Sequence, residues 1–331
     1  MRKLMRRAVA AIMAFVLAVT VTPAAQAANR DWLRNDSTGQ CEWDQAQNWV
    51  QYCTVWSPSM EKHIPVHIQP AIRGGNAGLY LLDGMRALPD RSAWTTDVNA
   101  AEIFVDSNIT LAMPAGGAGS FYSDWDGPAT FNFNEPVKYR WETFLTQELP
   151  SYLETNFGVA RNNNSIAGLS MGATAALSLA AKHPDQFRQA ISWSGYLTMT
   201  MPGMQTLLRL ALLDVGGFNI LTMYGSTINP RRFENDPFWN MDGLKNADVY
   251  ISAGPGIPGP ADAGYPTGQK ISGALLEWFS AYSTTLWETK ARATGLHVTS
   301  DYPKTGLHNW MNWRDQMVRT KPRILDVMNA W

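Results

Sequence analysis

The feature that most restricts the fold is the pentapeptide Gly168-Leu169-Ser170-Met171-Gly172, which has the form G-x-S-x-G. The apolar run 165–167 before it predicts a buried strand, and the Ala- and Leu-rich run 173–182 after it predicts a helix. A serine in a tight turn between a strand and a helix is typical of a nucleophile elbow, in which glycines permit a strained backbone. The helix N-terminus behind the serine favours developing negative charge. An ordinary glycine-rich turn is the alternative.

The first 27 residues have the composition of a secretory signal peptide. An apolar run covers residues 8–21, and a small-residue cleavage site ends at Ala27. The cations before the apolar run are Arg2, Lys3, Arg6 and Arg7. The run is short for a membrane-spanning helix, so a stable anchor is not expected. We therefore expect a protein that is secreted to the cell envelope, with one catalytic domain over residues 28–331.

Composition narrows the classes of partner. Removing the segment's four cations from the 27 basic residues leaves 23 against 28 acidic residues, a net charge of about −5. Because no basic block follows the signal, nucleic acid is not an expected partner. Cys41 and Cys53 are the two cysteines of the chain, and in an oxidising compartment we expect them to form a disulfide. No histidine or cysteine cluster accompanies them, so no metal is expected.

The order of predicted elements indicates an α/β fold. Short apolar runs alternate with helical patterns, which is typical of a mostly parallel central sheet flanked by helices. His63 precedes the first predicted strand and His67 lies in it, and we interpret both as surface histidines. The predicted strands cover 64–69, 79–82, 109–113, 165–167, 190–194, 249–253 and 297–302, and the predicted helices cover 138–157, 173–182 and 271–289.

Residues 196–246 interrupt this alternation and predict a cap-like helical insertion over the active site. A run of methionines and leucines from Met199 to Leu213 is apolar around much of a helix, and Gly216-Gly217 ends it. Such an adaptable lining suits a long acyl chain. Core packing is the alternative interpretation.

A nucleophilic serine requires a base and an acid that orients the base, and α/β-hydrolases place them in the order Ser, acid, His. His308 lies in a loop after the last predicted strand, where the base belongs. His183 ends the helix after Ser170 and is expected to point away from the site. Two candidate acids, Asp262 and Glu277, follow the strand 249–253, and spacing alone does not choose between them.

An oxyanion hole of this fold takes one N–H from the residue after the nucleophile and another from the loop after an earlier strand. Met171 follows Ser170. Asp83-Gly84 follows the predicted strand 79–82, so the N–H of Met85 is the candidate second donor. A plain β-turn is the alternative at that position.

Longer runs give the chain a family resemblance. It resembles the mycolyltransferases of mycolic-acid-containing bacteria, the antigen 85 group, and among them a corynebacterial type of member. The matching segments follow the family's order over most of the chain after the signal. They are Tyr80-Leu81-Leu82-Asp83-Gly84-Met85-Arg86-Ala87, Ser120-Phe121-Tyr122-Ser123-Asp124-Trp125, Gly168-Leu169-Ser170-Met171, His183-Pro184, Asn235-Asp236-Pro237, Leu276-Glu277 and His308-Asn309-Trp310.

The resemblance implies an α/β-hydrolase fold without a cofactor, acting as a monomer. It implies transfer of a mycoloyl (corynomycoloyl) group from trehalose monomycolate to another trehalose monomycolate or to cell-wall arabinogalactan. It selects Glu277 as the acid, with Ser170 and His308, and it supports Met85 and Met171 as oxyanion donors. The trehalose-binding residues that it implies are Asp83, Arg86, Asn99 and Trp310.

Departures from the family's pattern leave the acceptor and the acyl chain open. The chain has Gly306-Leu307-His308-Asn309-Trp310 where the family has Gly-Thr-His-Ser-Trp, and Ser252 where the family often has Cys. Two other functions are therefore kept as alternatives. One is a secreted carboxylesterase that hydrolyses trehalose or other lipid esters, and the other is a noncatalytic carbohydrate-binding member of the fold.

Overall fold

The computed structural model describes residues 30–45, 47–132 and 134–331, so the predicted signal peptide lies outside the described residues. Within those residues nine strands form one sheet. The strands are β1 (Glu42–Trp43), β2 (Gln51–Ser57), β3 (Lys62–Gln69), β4 (Ala77–Leu82), β5 (Ile109–Pro114), β6 (Asn164–Leu169), β7 (Phe187–Trp193), β8 (Asp248–Ser252) and β9 (Val298–Asp301).

Helices connect most of these strands. The α-helices are α1 (Ala93–Thr96), α2 (Ala100–Ile103), α3 (Trp141–Thr143), α4 (Leu149–Phe157), α5 (Met171–Lys182), α6 (Met204–Gly216), α7 (Ile220–Tyr224), α8 (Pro230–Glu234), α9 (Thr267–Ala293) and α10 (Trp310–Met328). A π-helical turn, Phe144–Glu148, joins α3 to α4, and two 3₁₀ turns cover Met241–Leu244 and Pro260–Asp262.

The sheet is mostly parallel, as predicted. Its strand order is β1-β2-β3-β5-β4-β6-β7-β8-β9. Neighbours from β5 to β9 run parallel, whereas β1, β2 and β3 add an antiparallel edge. The carboxyl ends of β4, β6, β7 and β8 therefore meet at one edge of the sheet, which is where open α/β sheets bind ligands.

Both faces of the sheet are covered, as the alternation of side chains along β4 illustrates. Tyr80 and Leu82 belong to a core that α4 and α5 share, while Leu79 and Leu81 belong to a second core with α1, α2 and α10. Successive residues of a strand point to opposite faces, so a strand buried on both sides is apolar throughout. This explains why short continuous apolar runs predicted the strands.

Three features differ from the sequence predictions. His67 is buried with 2% of its surface exposed, because the ring of Tyr52 on β2 packs against its imidazole and Asp44 Oδ2 lies 3.2 Å from its Nδ1. The interpretation of His67 as a surface histidine was therefore wrong, although His63 is exposed. Strand β2 and the C-terminal helix α10 were not predicted. The predicted helix 138–157 is divided by the π-helical turn.

The predicted disulfide is present and joins Cys41 to Cys53, both of which are buried. It ties the segment before β1 to β2 at the antiparallel edge. In the described part of the chain, every helix is too short or too polar to cross a membrane.

Candidate active site

Ser170 occupies a strained turn between β6 and α5. Its φ of 52° and ψ of −118° are unusual for a residue with a side chain, and 9% of its surface is exposed. The two glycines of the motif permit this turn. A Cβ at Gly168 would collide with the Gly172 backbone, and a Cβ at Gly172 would collide with the carbonyl oxygens at the end of β4. The local structure is the predicted strand, tight turn and helix.

The loop after β4 lies against this turn. A Cβ added to Gly84 would be 2.8 Å from Leu169 Cδ1 and 3.8 Å from Ser170 Cβ, so the loop lies in direct contact with the elbow. The carbonyl of Met85 accepts a 3.0 Å hydrogen bond from the N–H of Gly119, which fixes the next peptide of this loop. Met171 is the first residue of α5. The two predicted oxyanion donors therefore come from segments that flank Ser170.

His308 and Glu277 form a buried pair. His308 Nδ1 lies 2.7 Å from Glu277 Oε2, and the two side chains are 8% and 3% exposed. The other carboxylate oxygen, Oε1, accepts hydrogen bonds from Ser194 Oγ at 2.7 Å and from the N–H of Gly254 at 2.6 Å. The carboxylate is thus fully hydrogen-bonded, and its orientation leaves the second ring nitrogen of His308 for the cavity.

Asp262, the other candidate acid, is held elsewhere. Its Oδ1 accepts hydrogen bonds from Asn309 and Asn312, and its Oδ2 accepts one from the N–H of Gly259. His183 is also remote from Ser170, because it caps the opposite end of α5, where its Nε2 lies 2.8 Å from Glu142.

Ser170 and His308 line one cavity of about 650 Å³. The cavity is mainly apolar, and its walls come from the carboxyl edge of the sheet, from α9 and from α6 of the predicted insertion. The apolar side chains of its walls include Met199, Met204, Leu207, Leu208, Val215, Leu275, Leu276 and Phe279. A pocket with this lining and a few polar groups can hold an acyl chain next to Ser170.

Three of the four predicted sugar-binding residues line the same cavity: Asp83, Arg86 and Trp310. The Arg86 guanidinium is 2.5 Å from Asp214 of α6. Trp310 contacts the rings of Trp94 and Trp313. These residues provide polar and aromatic groups beside an otherwise apolar wall.

Asp83 is buried, and burial raises the pKa of its carboxyl to about 7. Its Oδ2 accepts a 3.1 Å hydrogen bond from the N–H of Ala93, and this bond and the Ser92 hydroxyl act against the increase in pKa. Asn99 lies outside the described lining of the cavity. It has a φ of 53° before α2, and its side chain donates to Glu102. Its sugar-binding role stays a prediction.

Sequence reasoning missed Ser194, Gly254 and Asp214. Ser194 and Gly254 follow the carboxyl ends of β7 and β8. Their position after a strand of an open α/β sheet is the sequence feature that could have indicated a place near the site. Asp214 lies in the insertion, where an apolar helical pattern gave no indication of a partner for Arg86.

Comparison with known proteins identifies the family. The model of the Esterase family matches residues 57–324. The chain is 36% identical over 284 residues to the diacylglycerol acyltransferase/mycolyltransferase Ag85C of Mycobacterium leprae (strain TN), covering 85% of this chain and 83% of that protein. It is 38% identical over 285 residues to Ag85A of Mycobacterium tuberculosis (strain ATCC 25618 / H37Rv), covering 85% and 82%.

Solved structures agree with this assignment. MPT51 (FbpC1) of Mycobacterium tuberculosis matches with a TM-score of 0.73 and 29% identity, covering 84% of this chain and 98% of that chain. The serine hydrolase FphF of Staphylococcus aureus matches with a TM-score of 0.63 at 14% identity, over 83% of this chain and 96% of that chain, which is a likeness of fold alone. The chain therefore belongs to the mycolyltransferase family, and it is an acyltransferase with the α/β-hydrolase fold.

Proposed function

We propose that this protein transfers a mycoloyl group from trehalose monomycolate to a second trehalose monomycolate or to arabinogalactan, through an acyl-enzyme on Ser170. One observation carries the proposal: Ser170 in its strained turn and His308 paired with Glu277 line the same apolar cavity. The names of the relatives, diacylglycerol acyltransferase/mycolyltransferase, support the acyl group and the reaction type.

In the first half-reaction, His308 takes the proton of Ser170 Oγ on its second ring nitrogen, while Glu277 holds the first. Ser170 Oγ bonds to the carbonyl carbon of the ester. The N–H groups of Met85 and Met171 stabilise the oxyanion, and such a donor contributes about 3 kcal/mol to the transition state. The bond between that carbon and the sugar oxygen then breaks, and His308 returns the proton to the leaving sugar.

In the second half-reaction, an acceptor hydroxyl replaces the departed sugar. His308 removes its proton, its oxygen bonds to the acyl carbon, and Ser170 leaves with the proton. Transfer requires that a sugar outcompete water at this step. Asp83, Arg86 and Trp310 would hold that sugar, and their place on the cavity wall supports this role.

The acyl chain would occupy the apolar part of the cavity beside α6 and α9. The lining by Met and Leu side chains supports an adaptable site for a long, branched lipid. We also propose that the chain is exported as a monomer after cleavage near Ala27. The composition of the first 27 residues and the disulfide Cys41–Cys53 support export.

Product analysis tests the proposal. Purified protein is incubated with labelled trehalose monomycolate, and lipid products and intact protein mass are measured, with Ser170→Ala as the control. Trehalose dimycolate and an acylated wild-type protein are expected, and neither with the variant. Transfer by Ser170→Ala would exclude the serine mechanism. Free mycolic acid as the sole product would instead identify an esterase, and failure of a serine-reactive phosphonate to label the wild type would indicate a noncatalytic protein.

A further inference from the structure

We infer that Ser194, itself held by Trp313, is a positioning residue that fixes the rotation of the Glu277 carboxylate toward His308. The inference rests on the proposed function, in which Glu277 orients the base. It assigns a role to a serine that no motif marked.

Ser194 is held in an unusual backbone conformation directly after β7. Its φ is 55°, in the left-handed region that favours glycine, and its N–H donates to the Ser252 carbonyl at 2.8 Å. The residue is 4% exposed, and its Oγ lies 2.7 Å from Glu277 Oε1. The backbone turn and the 2.7 Å contact together place the hydroxyl against the Glu277 carboxylate.

The direction of the serine's hydrogen bond follows from its second partner. Trp313 Nε1 lies 3.0 Å from Ser194 Oγ, and an indole N–H can only donate. Ser194 therefore accepts from Trp313, and its single proton points to Glu277. The Ser194 hydroxyl and the N–H of Gly254 thus both donate to Glu277 Oε1. The other oxygen of Glu277, Oε2, then faces His308 Nδ1.

Trp313 contacts both Ser194 and His308. Its ring meets the imidazole of His308 edge to face, with centroids 4.9 Å apart and an interplanar angle of 88°. One tryptophan thus packs against the base and also orients the serine that holds the acid. A carboxylate without the Ser194 donor keeps only the Gly254 N–H on Oε1 and can rotate away from the imidazole.

Removing the hydroxyl should slow the chemical step and leave substrate binding unchanged. A hydrogen bond to a charged group corresponds to about a 10- to 100-fold effect, so we expect that fall in kcat for Ser194→Ala. KM should stay constant, since Ser194 lies outside the described lining of the Ser170 cavity.

The experiment compares Ser194→Ala, Ser194→Gly and Ser194→Thr in the full-length protein. Kinetics use p-nitrophenyl butyrate, a soluble short-chain ester, and proton NMR follows the low-field resonance of His308 Nδ1–H. Ser192→Ala is the matched control, because Ser192 is also buried and its hydroxyl makes no hydrogen bond among the described residues.

Glycine suits a positive φ, so Ser194→Gly should be at least as stable as Ser194→Ala and equally slow, with the resonance broadened in both. The threonine variant retains the hydroxyl, so its folded form should recover kcat, although a β-branched residue at a positive φ should lower its free energy of unfolding. Wild-type kcat and an intact resonance in Ser194→Ala would overturn the inference, as would recovery of kcat in Ser194→Gly. Failure of a serine-reactive phosphonate to label the wild type would overturn the proposed function instead, and the resonance would still report whether Ser194 holds Glu277.

Discussion

Glu277 Oε2 lies 2.7 Å from His308 Nδ1, although thirty residues of chain separate the two side chains. Asp262, which spacing left as an equal candidate, instead binds Asn309, Asn312 and the N–H of Gly259. Helix α9 therefore supplies the carboxylate that contacts His308, and the 3₁₀ turn before it supplies the carboxylate that binds the asparagines next to His308.

Substitution of each carboxylate by its amide should separate these roles. Glu277→Gln places an amide against His308 and favours the wrong tautomer, so kcat should fall about 10⁴-fold. Asp262→Asn leaves His308 paired but provides one acceptor oxygen for three donors, so it should lower the free energy of unfolding by about 1–3 kcal/mol. The measurements are kcat with a soluble ester and urea unfolding. Equal loss of kcat in both variants would contradict the assignment.

The strand-turn-helix around Ser170, the parallel strands and the loop position of His308 were predictable from sequence for local reasons. Strands buried on both faces appear as apolar runs, and Gly168 and Gly172 are required by close backbone contacts around Ser170. The family resemblance added Glu277, which no local pattern selected.

Features that depend on tertiary contacts were not predictable. His67 is polar, and its burial follows from contacts with Asp44 and Tyr52, which are distant from it in sequence. Helix α10 contains Pro322, which obscures its helical pattern, and packing of its apolar face against the sheet offsets the lost hydrogen bond. Ser194 is a common residue at a strand end, and only its contacts with Glu277 and Trp313 distinguish it.

Leu208 offers a test of the acyl cavity. It lines the cavity, whereas Leu210 on the same helix is 58% exposed and lies outside the described lining. Leu208→Trp should obstruct the apolar wall and lower kcat/KM for a long-chain ester by about 10-fold or more, with little change for a butyrate ester. Leu210→Trp is the matched control and should leave both unchanged. An equal effect on both chain lengths would place the acyl chain elsewhere.

The ion pair between Arg86 and Asp214 should affect substrate binding and leave the free energy of unfolding almost unchanged. The side chains are 70% and 71% exposed, so either alanine variant should change the free energy of unfolding by less than about 0.5 kcal/mol. Arg86→Ala should raise KM for trehalose monomycolate by about 10-fold or more and leave KM for p-nitrophenyl butyrate unchanged. Asp214→Ala frees the guanidinium, so KM should stay equal or fall. Parallel increases in KM for both esters would argue against sugar binding by Arg86.

Asp83 should make stability depend on pH in the direction opposite to most carboxyl groups. Burial raises its pKa in the folded state to about 7, above the value of 3.8 for an ordinary aspartate. The folded state then binds more protons than the unfolded state between these two pH values. The contribution of Asp83 to the free energy of unfolding is therefore fully present below about pH 4 and is lost as the pH rises to about 7.

Asp83→Asn tests this prediction, because it keeps an acceptor for the N–H of Ala93 without the charge. Urea unfolding from pH 4 to pH 8 should therefore show the variant gaining a few kcal/mol relative to wild type, at roughly 1.4 kcal/mol per pKa unit. Burial also raises the pKa of Asp236, and subtracting the two curves removes the contribution of that residue. Parallel curves would mean that the pKa of Asp83 is the same in the folded and unfolded states, which would contradict the prediction.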